Sequence, residues 1–439
     1  MAHAVPDHLP SAVLDRADFA AACASRDLGQ VLRLAKRWGG VGFSASHLAR
    51  RCGMTVSRVQ DYISGRVQAQ QVGVFERVSD ALHIPGSMFE LGTRPWEGDE
   101  RSRVVVAGSS PTLAAGEGSS LLATDFLWTP ERAGTDYVAG VRASIDGLVS
   151  IDNRFGGAEV SRLSETIFDA VRGRLGSRDY EPSVRKDLAA SVGELAEVAG
   201  WLAYDADRQD VVRRMNQESL HFTRLAGDRA MELLTLQNMS MHAGFMNHPG
   251  EALDIAEMVL AGDAYRLTPR LRALFLTRKA RAVAQLGGHA AVNMFGEIHS
   301  LFLDGVSDAD PPWAWWIDER ELVWHEAMCR TDLGDNRTAL DRFEQSVDAH
   351  TTADARSDYI HRAYLLGGQV TARSWRSADA TLSDLEPMAA GVASPRSVVV
   401  IRAALADMLQ PAVCAPRQLR ERAAVFDASL ARRMTHRGP

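Results

Sequence analysis

From Leu28 to Trp38 the apolar residues Leu28, Val31, Leu32, Ala35 and Trp38 return every three or four places, the spacing of one buried helix face. The period resumes in residues 44 to 65, SASHLARRCGMTVSRVQDYISG. There Leu48, Ala49 and Cys52 form one apolar stripe, with His47, Arg50 and Arg51 on the wet side, and Val59 and Tyr62 form the next. Between the stripes, Gly53 has no Cβ and can take the left-handed conformation that ends a helix, while the Thr55 hydroxyl can cap the following one. Val56, Ser57, Arg58, Gln60 and Asp61 are left at the N-terminal end and outer face of that second helix. Val74, Phe75, Val78, Ala81 and Leu82 mark one more amphipathic helix, stopped at Pro85. The pattern predicts a small helical domain over 26–91, preceded by a tail at 1–25.

A short helix, a tight turn and a second short helix are the pattern of a DNA-reading helix-turn-helix, whose second helix enters the major groove. Arg26, Arg33, Lys36, Arg37, Arg50, Arg51, Arg58 and Arg66 are opposed locally only by Asp27 and Asp61, which predicts a phosphate-binding surface. LARRCGMTVSRVQDYISGR followed by VFERVSDALHIP resembles the xenobiotic-response-element (XRE, or Cro/C1-like) family of transcriptional regulators over about residues 26 to 91. Two positions depart from that family: Ala45 stands where Gln is usual, and Ile63 where Glu is usual. Thr55, Val56, Ser57, Arg58, Gln60 and Asp61 are the expected groove-facing residues. Arg58 and Gln60 lead the base reading, and Arg50, Arg51 and Arg66 are expected to hold phosphates.

Residues 92–135 change texture. Gly, Ser, Pro and Thr dominate, and the stretch reads as a linker, with VVVAG at 104 to 108 a short strand candidate. From 136 to 433 helical periodicity returns, with a C-terminal tail at 434–439. Helix pairs recur at the turns WLAYDADRQDVV, AGFMNHPGEALDIA, AQLGGHAAVNMF and CRTDLGDNRTALDRF. Aligning Val212, Ala252, Val292, Ala339 and Ala380 gives steps of about 40 to 47 residues. This resembles tetratricopeptide repeats (TPR) with lengthened helices, each pair burying its face only against its neighbours. The expected fold class is all-α: an N-terminal helix-turn-helix domain followed by a right-handed TPR-like superhelix. The combination resembles the actinobacterial XRE-TPR regulators linked to development and secondary metabolism, and the quorum-sensing regulators grouped as RRNPP.

In a TPR superhelix the first helix of each pair lines the concave groove. Mapped onto this chain, that rule assigns Trp201, Tyr204, Gln237, Met241, Phe245, Thr277, Arg281, Trp324, Met328 and Arg373 to ligand binding, and Asn238, close to this face, joins them as an amide able to clamp a peptide backbone. Glu197, Asp205, Gln285, Asp332 and Gln369 accompany them. Aromatic and methionine surface with sparse amide and guanidinium groups suits an apolar peptide or small-molecule effector. In PPWAWW, Trp313 and Trp316 lie three apart, either as a stacking wall or as a packing corner.

Composition narrows the classes further. The formal net charge of −7 divides into +2 for residues 1–91 and −9 for the rest, so most of the chain repels DNA. Arginine and alanine abound and only Lys36, Lys186 and Lys279 are lysines, a usage that suggests a GC-rich actinobacterial genome. Cys23, Cys52, Cys329 and Cys414 are scattered, indicating neither a disulfide framework nor a zinc site. No apolar run approaches the ~20 residues of a membrane span, and the N-terminus lacks a secretory pattern, so a cytoplasmic location is expected. No P-loop, G-x-S-x-G or H-E-x-x-H stretch occurs, which argues against an enzyme and against a cofactor or metal. The expected function is a homodimeric regulator of double-stranded DNA with an effector in its repeat domain. The alternative is a TPR adaptor with a vestigial head.

Overall fold

The computed structural model describes residues 9–94 and 124–436, apart from 15, 39–42, 44, 64–65, 70, 93, 125–126, 128, 130, 159, 263–264, 306, 308 and 349–354. The chain is all-helical. Six helices come first: α1 (Ser11–Leu14), α2 (Ala17–Ala24), α3 (Leu28–Trp38), α4 (Ala45–Arg51), α5 (Val56–Ile63) and α6 (Val72–Leu82). Then follow α7 (Thr135–Phe155), α8 (Ser161–Gly176), α9 (Arg185–Asp205), α10 (Gln209–Ala226), α11 (Arg229–Phe245), α12 (Pro249–Ala261) and α13 (Pro269–Gln285). The last are α14 (Ala290–Leu303), α15 (Glu319–Asp332), α16 (Asn336–Asp348), α17 (Ala355–Thr371), α18 (Trp375–Gly391), α19 (Pro395–Leu409) and α20 (Arg417–His436). Among the described residues the extended pairing is an isolated bridge between Ala133 and Tyr180, and no helix is long and apolar enough to cross a membrane.

The first six helices share one core. Leu28, Val31, Leu32 and Ala35 of α3 meet Leu48 and Ala49 of α4, Val59 and Tyr62 of α5, and Phe75, Val78 and Leu82 of α6, as the periodicity predicts. The expected tail at 1–25 is corrected from Leu9 onward. Leu9, Val13, Phe19 and Cys23 are buried in this same core, and the Leu9 amide bonds the Leu82 carbonyl at 3.0 Å. The short apolar spacing of α1 and α2 was too brief to stand out from a tail. Helices α3 and α5 approach so closely that a Cβ on Gly29 would lie 2.3 Å from the Tyr62 carbonyl oxygen.

The expected linker at 92–135, with its strand candidate at 104–108, falls largely outside the described residues. Its far end is tied down where the Arg174 guanidinium donates to the Thr129 and Glu131 carbonyls. Beyond it, consecutive helices from α8 to α18 pack neighbour on neighbour, while α7 packs on α9 and α17, and α19 packs on α17 and α20. Ala252 and Ala339 are the buried small residues expected in second helices, but in two pairs the buried residue is Ala291 rather than Val292, and Ala378 rather than Ala380. A shift of one or two residues is ~100–200° of helix rotation, so Val292 is only half-buried and Ala380 is exposed. Trp313 and Trp316 sit in a single 3₁₀ turn, Pro312–Trp316, where side chains three apart eclipse. Their rings stack at 6.4 Å, and Trp313 Nε1 donates to the Ala230 carbonyl at 3.0 Å, which makes this run a packing corner.

The helical array also meets itself. The Phe155 carbonyl accepts from the Ala393 amide at 2.6 Å, across the gap between α7 and the turn leading into α19. Gly156 adopts φ +85° there, and a Cβ on it would lie 2.5 Å from the Ala393 oxygen. Only a residue without a side chain permits this approach.

Candidate nucleic-acid interface and repeat interior

Between α4 and α5 the backbone follows its local chemistry. The Met54 amide reaches back to the Ala49 carbonyl at 2.8 Å, Gly53 takes φ +60°, and together they end α4 as a Schellman turn. The exposed Thr55 then caps α5, its Oγ1 accepting from the Arg58 amide at 3.2 Å.

Of the expected DNA contacts, the side chains of Val56, Ser57 and Gln60 lie outside the described residues. Arg58 is exposed and leans over Tyr62, 5.0 Å from the ring centroid, its Nε donating to the Tyr62 hydroxyl at 3.3 Å. Arg50 is exposed. Arg51 instead lies over the Phe43 ring at 4.7 Å, and Arg66 pairs with Asp61 at 2.8 Å, so these two cations and that carboxylate are engaged within the domain. Arg33 caps the end of α5 by donating to the Ile63 carbonyl at 2.6 Å, and Arg26 donates to the Phe89 carbonyl at 3.0 Å. Arg77, which sequence reading left out, stands beside the turn, its Cδ 3.9 Å from where a Gly53 Cβ would sit. Its position midway along α6 carried no signal until the helices were packed.

The far end of α3 faces the array. Trp38 packs on Phe302 of α14 with ring centroids 5.9 Å apart, Arg16 and Arg37 cover the Trp38 ring at 4.1 and 4.7 Å, and Arg37 approaches Glu319 at 3.7 Å. Lys36, expected at the phosphate surface, lies beside Gly305. The head is therefore held to the array by packing as well as by the chain between them.

In the array, the inward faces of α9, α11, α13, α15 and α17 converge. A chain of polar contacts runs through them: Glu197 Oε1 accepts from Asn238 Nδ2 at 2.7 Å, Asn238 accepts from Gln237, and Gln237 Oε1 accepts from Arg278 Nε and Nη2 at 3.1 and 2.9 Å. Arg278 Nη1 meets His325 Nε2 at 2.6 Å, and the same nitrogen lies 2.9 Å from Glu321 Oε1. Trp324 stacks on His361 at 4.8 Å and meets Tyr364 edge-on at 5.3 Å. Tyr204 is wrapped by Trp201, His242, Phe245 and the Arg396 guanidinium, the last 4.5 Å from its ring. Trp201 Nε1 donates to Asp152 Oδ2 at 2.9 Å, and Arg356 pairs with the same oxygen at 3.1 Å.

The residues assigned to an effector thus contact one another. Tyr204, Gln237, Asn238 and Trp324 are buried within this network, Met241 and Phe245 pack against the core around Leu195 and Leu202 of α9, and Met328 packs against the core around Tyr359 and Leu366 of α17. Arg281 is paired with Asp332 at 3.0 Å. Two assigned residues stand outside this network. Thr277 is fully buried and bonds the Ala273 carbonyl at 2.8 Å, a helix-internal role. Arg373 lies beyond the end of α17, exposed in the turn at φ +56°, because the helix stops at Thr371. Sequence reading missed Arg278, Glu321, Asp152, Arg356 and Arg396; for Arg278 and Glu321, charged residues on an apolar stripe were the available signal.

Burial pushes the Glu197 carboxyl up to about 8 against the lowering effect of Asn238, so it is protonated at neutral pH. Burial, then the Arg278 charge, pushes His325 down to about 4, with Glu321 opposing. His361 is held well below the ordinary imidazole value by burial first and by Arg320 next. Both rings are therefore neutral.

A pH dependence follows from Glu197. Its folded-state value lies above the ordinary 4.5, so the native protein keeps a proton that the unfolded chain releases. The associated stability is complete below pH 4.5 and is lost as pH rises through about 8. Glu197→Gln keeps the neutral shape without the titration. Its melting temperature is expected to exceed that of the wild type by a margin that grows from pH 5 to pH 8. Thermal denaturation of both proteins across that range checks this, and a margin constant with pH would refute it.

Comparison with known protein families and with characterised proteins finds no match to this chain in either.

Proposed function

We propose that this protein is a sequence-specific DNA-binding transcriptional regulator, with α4 and α5 as its helix-turn-helix and α5 as the reading helix. The observation that carries this reading is the α4–α5 turn: Gly53 and Thr55 set the angle between two short helices and leave Arg50, Arg58 and Arg77 on the exposed side. A surface of that kind contacts phosphates through its arginines and base edges through the first residues of α5. The array from α7 onward is a TPR-like superhelix that mediates dimerisation and takes a peptide or small-molecule effector on its polar and aromatic interior. The effector acts by replacing partners that the interior residues now find in each other, and it shifts the array only as far as its affinity differs between two states. The packing of Trp38 on Phe302 supports a route by which such a shift reaches the head.

The second reading is an adaptor whose head no longer reads DNA. It draws support from the internal engagement of Arg26, Arg33, Arg37, Arg51 and Arg66, which thins the free positive surface.

Selection of fragments from sheared genomic DNA at near-physiological salt separates the two. Wild-type protein is expected to retain a few sharp sites sharing a two-fold symmetric motif, and a variant carrying Arg58→Ala and Gln60→Ala to lose them. With Arg50, Arg58 and Arg77 exposed on each head, the logarithm of affinity should fall against the logarithm of salt with a slope of about −3 per head. Flat retention equal to that of the variant would favour the adaptor.

A further inference from the structure

On the outside of the array, away from the interior network, the C-terminal ends of α8 and α10 and the start of α9 enclose an open groove of about 1300 Å³. Five cations line it, Arg172, Arg178, Arg185, Lys186 and Arg224, against one carboxylate, Asp169. Arg172 is paired with Glu218 at 3.2 Å and Arg224 with Glu232 at 2.9 Å. Among the described residues Arg178, Arg185 and Lys186 have no carboxylate partner, and all three are exposed. The apolar lining comes from Leu175, Phe222 and Leu225, and Leu225 is 55% exposed.

We propose that this groove binds an acidic amphipathic peptide segment of a partner protein. Three observations select that occupant. The volume exceeds the ~300–1,000 Å³ of pockets for drug-sized molecules, and the groove is open to solvent, which suits a chain segment. Unneutralised cations in a basic-lined cleft attract carboxylates, because low-dielectric walls concentrate the field there. Exposed Leu225 beside them gives apolar side chains a seat that phosphates would not use. A DNA duplex is disfavoured because it would run past the groove onto a body whose charge beyond residue 91 is −9. The occupant is therefore a short run in which Asp or Glu alternates with Leu or Phe, its carboxylates on Arg178, Arg185 and Lys186.

Two variants of the full-length protein test this without touching the interior. A Cβ on Gly173 meets nothing within 4 Å, so Gly173→Trp fits the helix, fills the groove and changes no charge. Arg178→Glu with Lys186→Glu reverses the field and leaves the space. The probes are a fluorescein-labelled peptide of about 14 residues made of Asp, Glu, Leu and Phe, a second made of Asp and Glu alone, and a short DNA duplex. Fluorescence anisotropy at near-physiological salt is the readout, with thermal melting to show that both variants fold. The amphipathic peptide is expected to bind the wild type at least ~10-fold more tightly than it binds either variant, and at least ~10-fold more tightly than the all-acidic peptide binds. Equal affinity for wild type and either variant would overturn the proposal. So would a loss of duplex binding, in place of peptide binding, on Gly173→Trp.

Discussion

Asp205→Ala is expected to lower the unfolding free energy by ~3–5 kcal/mol, the usual cost of leaving a buried charge without its partner. Asp205 ends α9 and is fully buried. Its Oδ1 accepts from the Ser394 hydroxyl at 2.7 Å, its Oδ2 accepts from the Gly157 amide at 3.1 Å, and Arg396 stands 3.5 Å away. One carboxylate thus joins the end of α9, the turn after α7 and the start of α19. Removing it strands the Arg396 guanidinium, itself 5% exposed, against the Tyr204 ring. The comparison is Asp384→Ala, which breaks the 2.6 Å pair with Arg362 where Asp384 is 55% exposed, and is expected to cost under ~1 kcal/mol. Urea denaturation of both variants decides the matter. Equal losses would mean that the buried Asp205 junction contributes no more than an exposed ion pair.

Gly29→Ala is expected to destabilise the head by ~1–3 kcal/mol through overpacking and to weaken DNA binding at least ~10-fold. The added methyl would meet the Tyr62 carbonyl at 2.3 Å, and a backbone atom cannot swing aside as a side chain end can. Helix α5 must move away from α3, carrying Thr55 and Arg58 with it and breaking the Arg33 bond to Ile63. Gly73→Ala in α6, where the nearest neighbour is the Glu76 carboxylate at 4.0 Å, is expected to do neither. Hydrogen exchange measures the first effect as lost amide protection across 28–63 with protection unchanged across 185–245. Titration of a selected DNA site measures the second. Unchanged exchange in α3 and α5 would show that the two helices tolerate greater separation than their contact implies.

What was legible in the sequence was what depends on neighbours along the chain. Gly53 and Thr55 announce a turn because their conformational and hydrogen-bonding preferences act within a few residues, and Leu48, Val59 and Tyr62 announce a core face through simple periodicity. Trp201, Tyr204, Gln237 and Trp324 were legible for the same reason. Arg278 and His325 were not, although each stands next to a residue that was assigned, Thr277 and Trp324. One residue is ~100° of helix, and an alignment that drifts by one place exchanges an inward side chain for its neighbour. Asp152, Arg356 and Arg396 were illegible for a different reason. Their partners lie on helices far away in sequence, and no local pattern says that the last pairs return to the first. The segment from Leu9 to Ala24 was missed because its two helices are too short to display a period.

The contact between Asp205 and Ser394 joins residues 189 apart. A ribosome adding ~5–20 residues per second needs roughly ten to forty seconds to supply the second partner after the first has emerged. Through that interval the end of α9 waits with its future partner unmade. Had the two ends met through leucine and phenylalanine, the waiting surface would be adhesive to every other nascent chain. Asp152, Asp205, Arg356 and Arg396 wait hydrated, soluble and inert, and the order of synthesis gives a reason for a polar junction that the finished molecule alone would not.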